Sequence, residues 1–439
     1  MDMGAERMNL KGGGEREKRR KERLYDSAGI ELWSYKHFQN QITRGSKFFS
    51  HDRKGGTHMK PKSLVLIIAS IFVISAISDF GSSAYAQKEP YKIGVIFTAG
   101  GPYAAIGGPQ KDGAFLAAEE INRVGGVNGH KLELIFEDDG GDPSVASRLA
   151  KKLIGENKVA GIFGGTPIPP CHAIALVCEE KKIPYISQAP TYSVVEGKRF
   201  SFMVSVPTDI SAGALAKYII EELRWKKVAI VHDTTEHTKL YEISLRKTFK
   251  EKMVETVSYE YKGTDTDLVP VLLKVREFNP DGISLCGSVP SAPAIFMKQR
   301  KEFGIKIPVI GPTSLTTQTY LNLVGEAGEG MMLQSNVNYG SQSLGAIEFF
   351  EAMKRKYPGI LPLIFHATAW DAVKVFAKAM EVAGDDPLKI RDALENIKGL
   401  DGSRGPINLS PESHSGLTAK NLHILKIEKR RFVHIYTFK

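Results

Sequence analysis

Lys92-Ile-Gly-Val-Ile-Phe97, followed by Thr98-Ala-Gly-Gly-Pro-Tyr-Ala-Ala-Ile-Gly-Gly108 and an amphipathic stretch to Val124, is the passage whose reading decides the fold. Its first segment is a short apolar run, as expected for a strand buried on both faces. The glycine-rich segment reads as a loop. Beyond it Ala114, Ala117, Ala118, Ile121 and Val124 share one face of a helix expected from about Pro109 to Val124. Strand, loop and helix in that order form the repeating unit of a parallel α/β sheet.

The same alternation runs outward from there. Leu132–Phe136 is the next strand, and Asp142-Pro143 opens a helix with Asp as N-cap and Pro at its first position. Val145, Leu149 and Leu153 form its apolar stripe. Strands are expected at 159–163, 185–186 and 202–204. A helix at 209–223 then leads into Lys227-Val-Ala-Ile-Val231, where the pattern restarts. Helices at 238–252, 267–277, 291–303 and 316–324 separate strands at 256–260, 282–285, 308–310 and 331–333. Helices at 343–356, 366–383 and 387–397 and a hairpin, 422–427 with 431–436, complete the chain. The fold class is therefore α/β, with two doubly wound parallel-sheet lobes. Such lobes bind ligands where the carboxyl ends of their strands face a crevice.

The first 86 residues have another character. Lys60 and Lys62 precede the apolar run Leu64–Ile77, and a small-residue segment ends in Ala84-Tyr85-Ala86. That is the layout of a secretory signal peptide, with cleavage expected after Ala86 and Gln87 as the new N-terminus. Fourteen apolar residues are short against the roughly 20 needed to span a bilayer. Residues 1–58 show no sustained apolar period. Lys54-Gly55-Gly56 can be encoded by a ribosome-binding sequence, which makes Met59 the expected start and 1–58 an upstream extension; the alternative is a basic nucleic-acid arm. Of the formal charge of +10, residues 1–58 carry +5 and 59–86 carry +1, leaving +4 for 87–439. So weak a positive balance points to no nucleic-acid partner.

Three cysteines remain, so at least one thiol is free in an exported chain. Cys171 and Cys178 lie seven apart in an expected helix, about 10.5 Å at 1.5 Å per residue, too far to bridge. Cys286 reads as a small apolar strand residue. No G-x-S-x-G, H-E-x-x-H, C-x-x-C or EF-hand spacing occurs, so no enzyme chemistry, metal or cofactor is expected. His232-Asp233 lacks a nucleophile or second carboxylate at a useful spacing.

Ordered motifs give a resemblance. Ile93-Gly-Val, Gly101-Pro102 and Ile121-Asn-Arg-Val-Gly-Gly-Val-Asn-Gly129 resemble the start of leucine/isoleucine/valine-type periplasmic binding proteins. Asp138-Asp139 with Asp142-Pro143, Val228-Ala-Ile-Val-His-Asp233 and Gly263-Thr-Asp-Thr-Asp267 follow in family order. So do Phe278-Asn-Pro-Asp281, Gly325-Glu-Ala-Gly-Glu-Gly330 and Trp370-Asp-Ala372. The resemblance implies a type I periplasmic binding fold with hinge crossings near 207–210, 334–338 and 419–422, and a surface turn with a helix cap at Asp138, Asp139 and Asp142. Lobe one would be 87–208 plus 338–420, and lobe two 209–337 plus 421–439. It also implies a monomeric, periplasmic solute-binding subunit of an ABC importer that closes on a small ligand and meets a membrane permease. A ligand-sensing subunit of the same fold is the alternative; a repressor-type transcription factor is disfavoured by the export signal.

The resemblance also places the ligand. Tyr103 and Ile106 fall in the first loop, whose glycines permit close backbone approach. Thr166, Ile168, Ala189 and Thr191 fall in the two segments that hold an α-carboxylate, through hydroxyl and backbone N–H donors. In lobe two His237 and Ser288 stand where amino-acid binders carry tyrosines. Thr313, after Gly311-Pro312, stands where they carry the acid that pairs with the ligand ammonium. A buried unpaired ammonium costs several kcal/mol, so a carboxylate without an ammonium, or an amide, is the expected ligand. Glu236 is the residue that would restore an acid.

Overall fold

The computed structural model describes residues 88–439. The expected upstream extension and signal peptide, residues 1–86, lie outside that range.

The alternation read from the sequence folds into two sheets. The first half supplies β1 (Lys88–Phe97), β2 (His130–Asp138), β3 (Gly161–Gly164), β4 (Tyr185–Ser187) and β5 (Ser201–Met203). They lie in the order β2-β1-β3-β4-β5, every neighbouring pair parallel. Between them run α1 (Ala104–Arg123), α2 (Pro143–Gly155), α3 (Ile168–Lys181) and the short α4 (Tyr192–Val195). The second half supplies β6 (Lys227–Asp233), β7 (Glu255–Tyr261), β8 (Gly282–Cys286), β9 (Val309–Gly311) and β10 (Met332–Ser335). Its helices are α5 (Thr208–Glu221), α6 (Glu236–Glu251), α7 (Val269–Phe278), α8 (Ser291–Glu302) and α9 (Gln318–Val324).

The parallel part of the second sheet runs β10-β9-β8-β6-β7, the order of the first sheet repeated. In each sheet the strand order reverses beside the first strand, between β1 and β3 and between β6 and β8. Such a switch point parts the loops that follow those strands and opens a crevice at their carboxyl ends. The two crevices face one another.

The chain crosses between lobes three times. It passes from β5 to α5, and from β10 to α10 (Leu344–Lys356). The third crossing leads into β13 (His423–Glu428), which adds antiparallel to β10. Before it, α10, α11 (Ile364–Ala383), α12 (Pro387–Glu395) and the small hairpin β11 (Leu400–Gly402) with β12 (Gly405–Ile407) pack on the first lobe. After it, β14 (Arg431–Thr437) forms the sheet edge. Apolar layers cover the sheets, around Phe163, Trp370 and Phe376 in lobe one and around Leu285, Phe296 and Tyr320 in lobe two. Among the described residues, no helix is long and apolar enough to cross a membrane.

Several local expectations change. Helix α1 begins at Ala104, so Pro109 sits inside it. Gly108 precedes the ring without a Cβ to meet it, which eases one of the clashes of a helical proline. Gly107 is needed for another reason, since a Cβ there would lie 1.9 Å from the Thr98 carbonyl oxygen. In α2 the Asp142 side chain accepts from the Ser144 and Val145 N–H groups, the cap expected. The buried stripe shifts to Ala146, Leu149, Ala150 and Leu153, with Val145 half-buried. Asp139 is not on the surface; it is 1% exposed, held by Thr98. The hairpin β11–β12 and helix α4 are too short to carry a periodic signal, and the sequence reading passed over both. The three cysteines are buried and free.

Candidate functional site

The opposed crevices enclose one cavity of about 280 Å³. Lobe one contributes Tyr103 and Ile106 from the start of α1, the segment Gly165–Pro169 leading into α3, and Gln188–Pro190 after β4. Lobe two contributes Thr235, Glu236 and His237 at the start of α6, Ser288 after β8, and Thr313 and Ser314 after β9. The crossings add Ser205, Val206, Thr208, Asn336 and Leu422, and α11 adds Ile364, Phe365 and Thr368. Its walls are thus apolar, with a few convergent polar groups, the usual make-up of a small-molecule site.

Eight of the nine residues expected at the ligand meet here: Tyr103, Ile106, Thr166, Ile168, Ala189, His237, Ser288 and Thr313. Thr191 does not. It lies outside the cavity lining, 5% exposed, with its hydroxyl 3.2 Å from Ser193 Oγ. At the position before α4 its hydroxyl turns to the neighbouring Ser193 side chain and makes no cap bond to the helix backbone.

The hydrogen bonds show what each wall offers. Beneath the lobe-two wall Asp233 is fully buried at the end of β6. Its Oδ1 accepts from Thr235 N, Thr235 Oγ1 and Thr238 Oγ1, at 2.9, 2.6 and 2.6 Å, and its Oδ2 accepts from Ser288 N at 2.7 Å. These bonds also bring the Thr235 and Ser288 hydroxyls together. Asp233 is therefore engaged by the protein and has no free oxygen for a ligand. Its charge still reaches across the cleft: burial, then Asp233, raise the Tyr103 phenol above its ordinary value. His237 is half-buried at the start of α6. Burial lowers its pKa, against the pull of Asp233, so the neutral ring with one N–H donor is favoured.

Many hydroxyls at the cavity already donate inward. Thr208 donates to Pro190 O at 2.7 Å, Ser211 to Gln334 Oε1 at 2.6 Å, Ser314 to Gly287 O at 2.6 Å and Thr368 to Ile364 O at 2.9 Å. The Thr313 side chain has no such partner among the described hydrogen bonds, and Glu236 is exposed at the rim. Among the described residues that line the cavity, Glu236 is the one carboxylate. No described group of His, Cys, Asp and Glu could hold a metal ion.

Sequence reasoning missed Gln188, Asn336, Phe365 and Leu422. Asn336 and Leu422 lie on crossings and Phe365 in a tail helix, so proximity in sequence to a strand end gave no signal. Gln188 directly precedes Ala189, and its polarity next to a strand end was the available cue.

Two switch points closed over one cavity, with three crossings between the lobes, define a bilobal ligand clamp of the type I periplasmic binding kind. The chain belongs to the periplasmic binding protein family, whose model matches residues 90–431. It is similar to the leucine-, isoleucine-, valine-, threonine-, and alanine-binding protein of Pseudomonas aeruginosa, 26% identical over 333 residues, covering 74% of this chain and 87% of the relative. Among solved structures it resembles a leucine binding protein from Thermotoga maritima, with a TM-score of 0.72 and 24% identity over 79% of this chain and 97% of that one. It also resembles a solute binding protein from R. palustris in complex with 4-hydroxybenzoate, with a TM-score of 0.70 and 24% identity over 80% of this chain and 97% of that one.

Proposed function

We propose that the protein is the exported solute-binding subunit of an ABC importer and that its ligand is a small carboxylate, or an amide, without an α-ammonium group. Closure of the two lobes requires contacts that exist only when one solute touches both, so ligand shifts the population toward the closed form. That form is the one a membrane permease would engage.

The fold does not choose the ligand, since similar folds belong to a leucine binding protein and to a protein in complex with 4-hydroxybenzoate. The choice rests on one observation: Thr313 lines the cavity where the resemblance places the ammonium's acid, and the nearby Asp233 is engaged by protein donors. A neutral hydroxyl cannot replace a carboxylate against a buried ammonium, which costs several kcal/mol unpaired. The Ile106, Val206, Phe365 and Leu422 side chains suit an aliphatic or aromatic body, and 280 Å³ suits a small one. His237, Ser288 and Thr313 would supply the lobe-two contacts, and Tyr103, Ile106, Thr166, Ile168 and Ala189 those of lobe one. Export would follow cleavage after Ala86.

Titration calorimetry tests this with leucine, valine and alanine beside benzoate, isovalerate and their amides. Binding of an acid or amide, with no heat from the amino acids, is expected. Micromolar leucine binding overturns the ligand assignment. Recovery of the polypeptide from a periplasmic extract with Gln87 at its N-terminus tests the compartment.

A further inference from the structure

Behind Thr166 lies a side chain that nothing in the sequence singled out. Gln110, on α1, is 1% exposed, and its amide oxygen lies 2.8 Å from Thr166 Oγ1. In this arrangement Thr166 donates its only hydrogen to Gln110 Oε1. The cost falls on the other end of the amide, where Nε2 is buried without any acceptor. A buried polar group left without a partner is destabilising.

A primary amide has nearly the same shape end for end, so the same space holds it reversed. Reversed, Nε2 donates to Thr166 Oγ1 across the same 2.8 Å, and the oxygen becomes the atom without a partner. Folded proteins leave carbonyl oxygens under-satisfied more readily than N–H groups. The reversal therefore lowers the cost inside and frees the Thr166 hydrogen. The Thr166 carbonyl is meanwhile held from behind by Thr98 Oγ1, which fixes the residue's backbone against the cleft. With its oxygen accepting from Gln110 and its backbone fixed, the Thr166 hydroxyl has the cavity it lines as the place to donate.

We infer that Gln110 is a positioning residue that turns the Thr166 hydroxyl hydrogen into the cleft, making that wall a donor and favouring a ligand carboxylate over the matching amide. The inference rests on the carboxylate reading of the cleft. Gln110 touches no ligand in this scheme; it acts through Thr166.

The experiment is titration calorimetry of the mature chain with two probes, benzoate and benzamide. It compares wild type with Gln110→Met, Thr166→Val, Thr166→Ser and the double variant Gln110→Met/Thr166→Val. Loss of one directed hydrogen bond to an anion corresponds to about a tenfold loss of affinity. Gln110→Met should weaken benzoate about tenfold and leave benzamide within about twofold. Thr166→Val should do the same, Thr166→Ser should retain wild-type selectivity, and the double variant should be no worse than either single one, as for residues acting as one unit. Equal losses for both probes mean that Gln110 only packs, and overturn the inference. No loss for either probe overturns it as well. Should Gln110→Met fail to fold, Gln110→Glu serves: once ionised its carboxylate captures the Thr166 hydrogen, so benzoate affinity must fall as pH rises while wild type stays level. A level Gln110→Glu profile overturns the inference. A wild-type protein that binds leucine and no carboxylate removes both this inference and the ligand reading; one that binds benzoate with Gln110→Met unchanged removes this inference alone.

Discussion

Asp139 in lobe one and Asp233 in lobe two are both buried beneath the walls of the cleft, and the two are treated in opposite ways. Asp233 in lobe two receives four hydrogen bonds spread over both oxygens. Asp139 in lobe one has Thr98 Oγ1 and Gly141 N within hydrogen-bond distance of Oδ1 alone, and its Oδ2 has no partner. A carboxylate surrounded by donors can stay charged in the interior, whereas one with a bare oxygen favours its neutral form. Lobe two thus has a bracket fastened by four hydrogen bonds under Thr235 and Ser288. Lobe one has a softer polar layer, Thr98, Asp139, Gln110 and Thr166, whose hydrogens can be redistributed. The ligand chemistry proposed above belongs to the softer wall.

The largest test of that contrast is an isosteric change on the bracket. Asp233→Asn keeps the shape but faces Ser288 N–H, or else the three donors on Oδ1, with an N–H₂ group. At least one buried donor is stranded and a charged acceptor is lost, so a destabilisation of about 3–4 kcal/mol is expected in urea unfolding. A cost under about 1 kcal/mol would mean the wall does not depend on this carboxylate.

Acid probes lobe one at a second buried group. His366, in the first turn of α11 beside the cleft residues Ile364, Phe365 and Thr368, accepts from Leu363 N–H through Nδ1 at 3.1 Å. Burial pushes its pKa from 6.5 down to about 4. The unfolded chain then binds a proton that the folded one refuses, so stability is full above pH 6.5 and drains as pH falls toward 4. The gap corresponds to ~3 kcal/mol at pH 4 and below. Gln at that position keeps an acceptor for the cap without titrating. His366→Gln should therefore flatten the pH 6.5-to-4 limb of the stability profile, while His423 in lobe two, also pushed to about 4, leaves a residual slope. An unaltered limb would show that His366 is protonated without cost.

At the cleft itself Thr313→Glu restores an acid opposite the carboxylate-holding wall. Leucine affinity should rise, and benzoate affinity fall, each by about 10–100-fold or ~1.4–2.7 kcal/mol. If leucine gains nothing, Thr313 is not where an ammonium would lie.

Much of this was legible in the sequence, and the illegible part has a common cause. Short apolar runs such as Ile93–Phe97 and Val228–Val231 lie buried in both sheets, because parallel strands covered on both faces leave a continuous hydrophobic signature. The resemblance placed eight cavity residues, and they meet because the carboxyl ends of parallel strands converge at the switch points. Thr191 failed because its surroundings are set by helix α4, a single turn too short to predict. Gln110 gave no signal because it lies within α1, where a buried glutamine looks in sequence like any solvated one. Asp139 read as surface beside Asp138, and only the seating of Thr98 reveals it as interior. Hydrogen-bond partners 41 to 68 positions apart leave no local pattern.

The smallest effect sharpens the comparison most. The Thr98 hydroxyl has one hydrogen and two neighbours that could take it, the Thr166 carbonyl and Asp139 Oδ1. If Asp139 is neutral its own O–H donates to Thr98 Oγ1, Thr98 donates onward to Thr166, and the bare Oδ2 is an uncharged carbonyl oxygen. Burial raises the Asp139 pKa above its ordinary 3.8, against the bonds from Thr98 and Gly141 and with the neighbouring Asp138 acting in the same direction. A raised carboxyl holds its proton in the folded state after the unfolded chain has lost it, so its contribution to stability is present at low pH and lost as pH rises above about 3.8 through the folded value. Asp139→Asn removes that loss but gives up one hydrogen-bond arrangement. At pH 7 it should lie within about 1 kcal/mol of wild type, far from the Asp233→Asn cost. The advantage of wild type over Asp139→Asn should shrink as pH is raised above about 3.8 in parallel urea titrations. An advantage that does not shrink would mean that the fold does not favour the proton on Asp139.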